Sequence, residues 1–255
     1  MCADFDARKG LTTAPHPLAR SFAAFLFDMD GTLLDSTAVA NRVWRDWAES
    51  HGLDADQVLA VLHGVRVRDT VQRFATDAMD VDREAERITA AEIAQVDGIA
   101  EIARARAFLD SLPRDRWAVV TSAPQALATR RIEAAGLPSP PLLVAAEDIV
   151  NGKPAPDCYI AAAKALGVEI RDCLVWEDAP AGIAASEAAG ATVIVVEATH
   201  GDPDNAGRLR ITDFRGLSCS ADADGMLRLY GASQARGPSP DCIESGKMSE
   251  GRLTA

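Results

Sequence analysis

This sequence predicts an α/β fold, a parallel sheet with helices on its faces and a helical block inserted after the first strand. Three observations lead there. An apolar run, Phe22-Ala-Ala-Phe-Leu-Phe27, stops at two aspartates, Asp28 and Asp30, with Gly31 and Thr32 close behind. A short run that is apolar at every position reads as a strand buried on both faces, as central parallel strands are. From about residue 105 to 196, strand-like and helical patterns then alternate. Repeated strand–helix units imply a parallel sheet with right-handed crossovers. Finally, no strand is evident between Asp35 and about Arg106, far more chain than a simple crossover needs. The expectation is a Rossmann-like core of five or more strands, 21–35 and 103–218, with an α-helical cap at 36–102.

In order, the cap opens with Val39, Val43, Trp47 and Ala48 at helical spacing, ended by Gly52. Helical segments follow at Asp54–Leu62, Thr70–Ala78 and Arg83–Gln95, with the loop His63-Gly-Val-Arg-Val-Arg68 between the first two. The core resumes with a helix at Ala105–Leu112 and a strand at Trp117–Thr121. A helix at Gln125–Ala135 is closed by Gly136 and Pro138, and a strand follows at Leu142–Ala145. Pro156 suits the first turn of a helix running to Leu166. The strand Cys173–Trp176, a helix started by Pro180, and the strand Thr192–Val196 complete the alternation. Residues 1–20 mix charge with Pro15 and Pro17 and read as a loose extension. After Leu217 the pattern dissolves: a short helix at Met226–Tyr230 is expected, and 219–255 reads as a disordered tail.

Composition bounds the partners. The 255 residues carry 38 acidic and 26 basic side chains, a net charge of -12, and are 48% hydrophobic. An acidic chain with an ample core has no general attraction for nucleic acid or an anionic membrane. No apolar stretch approaches membrane-spanning length. The five cysteines, Cys2, Cys158, Cys173, Cys219 and Cys242, are odd in number and include no Cys-x-x-Cys pair. This argues against a disulfide framework or structural zinc and points to a reducing cytoplasm. A monomer is expected.

The chemistry sits at strand ends, where open α/β sheets bind their ligands. Asp28 and Asp30 repel each other unless a cation lies between them or one is protonated, which suggests an oxygen-ligated ion, most simply Mg2+. Thr121 and Ser122 follow the second core strand; hydroxyls at a helix start bind phosphate, and Ser122 alone also reads as a helix cap. Lys153, in Asn-Gly-Lys-Pro-Ala-Pro-Asp157, is a cation held by two flanking prolines, placed to neutralise phosphoryl oxygens. Glu177 and Asp178 end the fourth strand, either as metal ligands or as a solvated pair capping the helix at Pro180.

The series acidic pair, hydroxyl, lysine, acidic pair at successive strand ends resembles the haloacid dehalogenase superfamily over about Phe22–Leu217. The wording Asn151-Gly-Lys-Pro-Ala-Pro-Asp157 and Val175-Trp-Glu-Asp-Ala-Pro-Ala-Gly-Ile183 is similar to its sugar-phosphatase and β-phosphoglucomutase-like branch. That resemblance implies Asp28 as nucleophile, forming an aspartyl phosphate, and Asp30 as general acid and base. It implies Mg2+ held by the Asp28 carboxylate, the Asp30 backbone carbonyl and Asp178, with Glu177 direct or through water. Thr121 and Lys153 would bind the phosphoryl group. Relatives with a similar His-Gly motif contact substrate through this loop, so His63 and Arg66 become the cap's substrate residues, with Arg68 and Asp69 behind them. The second hinge, near Ala103–Arg104, lacks the Pro-Gly usual in relatives. The implied activity is a phosphatase of small sugar or polyol phosphates. A phosphomutase and a receiver-type phospho-acceptor module remain open as alternatives.

Overall fold

The computed structural model describes residues 20–199 and 208–231. The expected loose extension, apart from Arg20, and the tail from 232 onward lie outside the described residues. The core is a six-stranded sheet, all parallel, ordered β5-β4-β1-β6-β7-β8. Its strands are β1 (Ala24–Phe27), β4 (Trp117–Val120), β5 (Leu143–Val144), β6 (Cys173–Glu177), β7 (Thr192–Val196) and β8 (Leu209–Ile211). From β1 the chain builds outward through β4 and β5, then returns to place β6 on the other flank of β1. A crevice at the carboxyl ends of strands beside such a reversal is where ligands bind.

Alternation along the strands separates two apolar layers. Phe25, Phe27, Leu174 and Trp176 face one way and pack with Phe108 of α5 (Ala105–Asp110) and with Phe214. The Phe27 and Trp176 rings stack at 5.4 Å. Ala24, Leu26, Ala118 and Val175 face the other way, against Cys158, Tyr159 and Ala162 of α7 (Asp157–Ala165). Helices α6 (Gln125–Ala134) and α8 (Pro180–Ala189) complete the core.

Between β1 and α5 stand the cap helices α1 (Thr37–Ser50), α2 (Ala55–Leu59), α3 (Val67–Phe74) and α4 (Val81–Ala94). They enclose an apolar cluster of their own, with Val43, Trp44, Trp47, Val58, Val71 and Ile88 buried together. The chain enters and leaves the cap through two two-residue strands, β2 (Leu34–Asp35) and β3 (Ala100–Glu101), which pair antiparallel. This pairing lies inside the stretch where no strand is evident from the pattern. Arg104, just beyond, holds a left-handed φ of 70°.

The sixth strand, β8, fits the expected sheet of five or more strands. Two differences from expectation concern the C-terminal part. Residues 218–231 are ordered instead of belonging to a disordered tail. The segment expected as a helix at Met226–Tyr230 is β10 (Leu227–Tyr230), paired antiparallel with β9 (Ser218–Ala221). Leu227 and Leu229 are buried while Arg228 and Tyr230 point out, the period-two pattern of a strand. Leu227 also exchanges backbone hydrogen bonds with Phe22, at 2.7 and 2.8 Å, tying the hairpin to the entry of β1.

Candidate active site

The sheet register brings the predicted motifs together. Phe27 pairs with Val119 on one side and Trp176 on the other. Asp28, the next residue, therefore lies level with Val120 on one side and Glu177 on the other, with Thr121 and Asp178 one residue beyond; its N–H donates to the Trp176 carbonyl at 2.9 Å. Asp28, Glu177 and Asp178 are all buried, each with a carboxylate oxygen inside a group spanning 4.8 Å. Gly31 is required here. Its φ is 86°, and a Cβ would run into the Asp178 carboxylate.

Lys153 enters from the loop after β5. Its ammonium donates to Asp28 Oδ1 at 2.6 Å, Glu177 Oε1 at 2.7 Å and the Val120 carbonyl at 3.3 Å. Burial pulls this ammonium's pKa down, but Asp28 and Glu177 outweigh it and hold it well above the ordinary lysine value. Burial pushes the Asp28 carboxyl well above the usual carboxylate range; Lys153 opposes the rise, and Glu177 and Asp178 add to it. Three buried carboxylates against one ammonium leave a local charge of about -2 when all are ionised. An all-oxygen donor set with that surplus fits a hard divalent cation such as Mg2+.

Glu177 is the most heavily engaged of the three. Besides Lys153, its Oε1 accepts from the Tyr159 hydroxyl at 2.9 Å, and Oε2 accepts from the backbone N–H of Asp178 and Ala179 at 2.9 and 3.0 Å. This carboxylate both anchors Lys153 and satisfies donors at the start of α8. Asp178 accepts from Thr32 at 3.3 Å and Thr199 at 3.4 Å.

Asp30 faces the cap and is partly solvated. Its Oδ1 accepts from the Ser36 hydroxyl at 2.5 Å and pairs with Arg131 at 2.9 Å. Arg131, on α6, also pairs with Glu92 of cap helix α4 at 3.0 Å. Burial raises the Glu92 carboxyl's pKa, with Arg131 opposing and Asp30 adding. Sequence reasoning passed over Arg131, Glu92, Ser36 and Tyr159. Two of them carry a readable signal: Arg131 shares a helical face with Leu127, Ala128 and Ile132, and Glu92 lies four residues after buried Ile88. A charge on an apolar helical stripe marks a buried partner.

A cavity of about 60 Å3 lies over Asp28 and Asp30, with Thr121, His63, Glu92 and Arg131 in its wall. Thr121 Oγ1 accepts the Ala123 N–H at 3.0 Å. Ser122 departs from expectation: α6 has no side-chain cap, and the Ser122 hydroxyl donates to the Gly64 carbonyl of the cap loop at 2.8 Å. Arg66 departs too. Its guanidinium grips Asp69 at 2.7 and 3.2 Å and the Val150 carbonyl at 3.0 Å, outside the cavity wall. A carboxylate three residues away in the same helical turn occupies that fork. Arg68 pairs with Asp82 on the surface.

Comparison with known proteins agrees with this geometry. The family model for haloacid dehalogenase-like hydrolases matches residues 22–190. Hexitol phosphatase A of Escherichia coli (strain K12) is 40% identical over 183 residues, covering 70% of this chain and 85% of that protein. Glycerol-1-phosphate phosphohydrolase 2 of Saccharomyces cerevisiae is 35% identical over 206 residues, covering 74% and 80%. The fold is shared with β-phosphoglucomutase from Clostridium difficile, with a TM-score of 0.67 at 21% identity over 77% of this chain and 93% of that one. A match over most of the described chain, carried by relatives of this similarity, gives the assignment: the chain belongs to the haloacid dehalogenase-like hydrolases.

Proposed function

We propose that this hydrolase is a Mg2+-dependent phosphatase of small sugar or polyol phosphates, working through an aspartyl phosphate on Asp28. The observation that carries the reading is the buried cluster of Asp28, Lys153, Glu177 and Asp178 at adjoining strand ends. The similarity to hexitol and glycerol phosphate phosphatases supports the substrate class. Phosphoryl transfer needs positioning and charge neutralisation above all, and this cluster provides both.

In the first half-reaction an Asp28 oxygen attacks phosphorus, the bond to the substrate oxygen breaks, and Asp30 gives that oxygen its proton. In the second, Asp30 takes a proton from water as the water oxygen attacks phosphorus, releasing inorganic phosphate and free Asp28. Splitting the displacement this way replaces one hard step with two easier ones. Lys153 and Thr121 receive the phosphoryl oxygens. Mg2+, held by Asp28, the Asp30 backbone carbonyl and Asp178, would neutralise charge on the transferring group. Glu177 would act mainly as the anchor of Lys153. All these groups come from one chain, which suits a monomer, and the buried thiols Cys158 and Cys173 suit a reducing cytoplasm.

The test is phosphate release from hexitol, glycerol and hexose phosphates, with and without chelator. Activity should vanish in excess chelator, return with Mg2+, and be absent from Asp28→Asn. Full turnover in excess chelator, or by Asp28→Asn, overturns the reading. Conversion of a hexose 1-phosphate to the 6-phosphate without phosphate release would identify the mutase alternative. Long-lived phosphorylation without turnover would identify a receiver-type module.

A further inference from the structure

We propose, resting on the phosphatase reading, that Glu92 and Arg131 form the substrate-reading end of the site and select polyol monophosphates against bisphosphates. Glu92 comes from the cap and Arg131 from the core, and they meet at 3.0 Å directly over Asp30. Their side chains are only 3% and 6% exposed, so this is a water-excluded contact.

The cavity over Asp28 has Asp30, Glu92 and Arg131 together in its wall. A substrate whose phosphoryl group sits at Asp28 brings the rest of its chain against this wall and meets the pair. Whatever part of the substrate lies there must satisfy both groups, because an unpaired buried charge is strongly unfavourable. A hydroxyl is donor and acceptor at once, so a polyol can donate to the Glu92 carboxylate while accepting from the guanidinium. A second phosphoryl group cannot. Arg131's one positive charge is already matched by the Glu92 carboxylate, with Asp30, the proton carrier, on its other side. A dianion placed there would be buried beside Glu92 with no cation of its own. Glu92 thus acts as the repulsive element on which specificity by exclusion depends.

The experiment compares kcat/KM for a hexitol monophosphate and a hexose 1,6-bisphosphate in the wild type, Glu92→Gln and Glu92→Asp, with melting temperatures alongside. The wild type should favour the monophosphate by roughly a hundredfold or more, the size of discrimination that a mispaired buried polar group produces. Glu92→Gln, which removes the charge and keeps the shape, should narrow the ratio by about tenfold or more. Glu92→Asp keeps the charge and should keep the ratio, even if both rates fall because the shorter side chain reaches less far. An unchanged ratio in both variants, or an equal shift in both, overturns the proposal, because a purely structural residue behaves so. Nitrophenyl phosphate distinguishes the two levels of failure. If the wild type hydrolyses it but the ratio ignores the charge at residue 92, only this inference falls. If the wild type hydrolyses no phosphomonoester, the phosphatase reading falls and takes the inference with it.

Discussion

Gly182 stands in the first turn of α8, and helix propensity alone says that alanine should improve it by about 1 kcal/mol. The tertiary structure says the opposite. A Cβ at residue 182 would overlap the Glu177 carboxylate. A glutamate on the surface would swing aside, but this one is fully buried and accepts from Lys153 at 2.7 Å, Tyr159 at 2.9 Å, and the backbone of Asp178 and Ala179 at 2.9 and 3.0 Å. Moving it breaks two or more of these bonds. At about 1.5–3 kcal/mol each for a charged acceptor, the loss exceeds the propensity gain and leaves Gly182→Ala less stable by about 2–5 kcal/mol. In a chain of this size that lowers the melting temperature by roughly 5–15 °C. The same displacement releases Lys153, whose ammonium lies 2.6 Å from Asp28. A shift of that kind at a reacting centre should reduce kcat/KM by about a hundredfold, measured on nitrophenyl phosphate as well as on the best polyol phosphate. Thermal unfolding and steady-state kinetics on one preparation give both numbers. A variant that melts at or above the wild type and keeps kcat/KM within about threefold would refute the argument that Glu177 is locked.

Three further outcomes follow from other parts of the molecule. Leu227→Ala should destabilise by about 2–5 kcal/mol in denaturant titration, because Leu227 is fully buried where the β9–β10 hairpin meets Phe22; a change near zero would mean that the hairpin is not part of the core. Ser122→Ala removes the hydroxyl bond to Gly64 of the cap loop and should lower kcat/KM for a polyol phosphate by roughly three- to tenfold, more than for nitrophenyl phosphate; equal losses would instead place Ser122 on the phosphoryl group. Burial pushes the Glu84 carboxyl up, but hydrogen bonds from His51 at 3.1 Å and Trp47 at 3.0 Å outweigh it and hold its pKa below the ordinary 4.5. Because that value is lowered on folding, the stability it contributes is complete above 4.5 and lost as pH falls through the lowered value. Glu84→Gln should therefore be less stable than the wild type at neutral pH, by about 1 kcal/mol or less for a partly solvated pair in denaturant titration, and the two stabilities should converge in acid.

By itself the sequence determined the α/β alternation, the helical insertion and the strand-end motifs, because each is written locally. Phe22–Phe27 is apolar at every position, so it can only be buried on both faces. Asp28, Thr121, Lys153 and Glu177–Asp178 each follow a strand or open a helix, and parallel pairing then carries them to one edge. The tertiary structure alone decided what depends on partners distant in the chain. Nothing near Arg131 announces Asp30, 101 positions earlier, or Glu92, 39 positions earlier. The cap loop's sequence offers Arg66 to a substrate, but Asp69 and the Val150 carbonyl, the latter 84 positions away, hold its guanidinium. Glu177 reads as a metal ligand from its neighbours, yet Tyr159 and two backbone N–H groups also claim its oxygens. The hairpin at 218–230 hid in a polar stretch because four-residue strands carry little periodic signal, and its stability comes from Leu227 finding Phe22 across the whole length of the domain. Motifs are local chemistry and can be read in order. Which charges pair, and which oxygens stay available, is a property of packing and has to be seen in three dimensions.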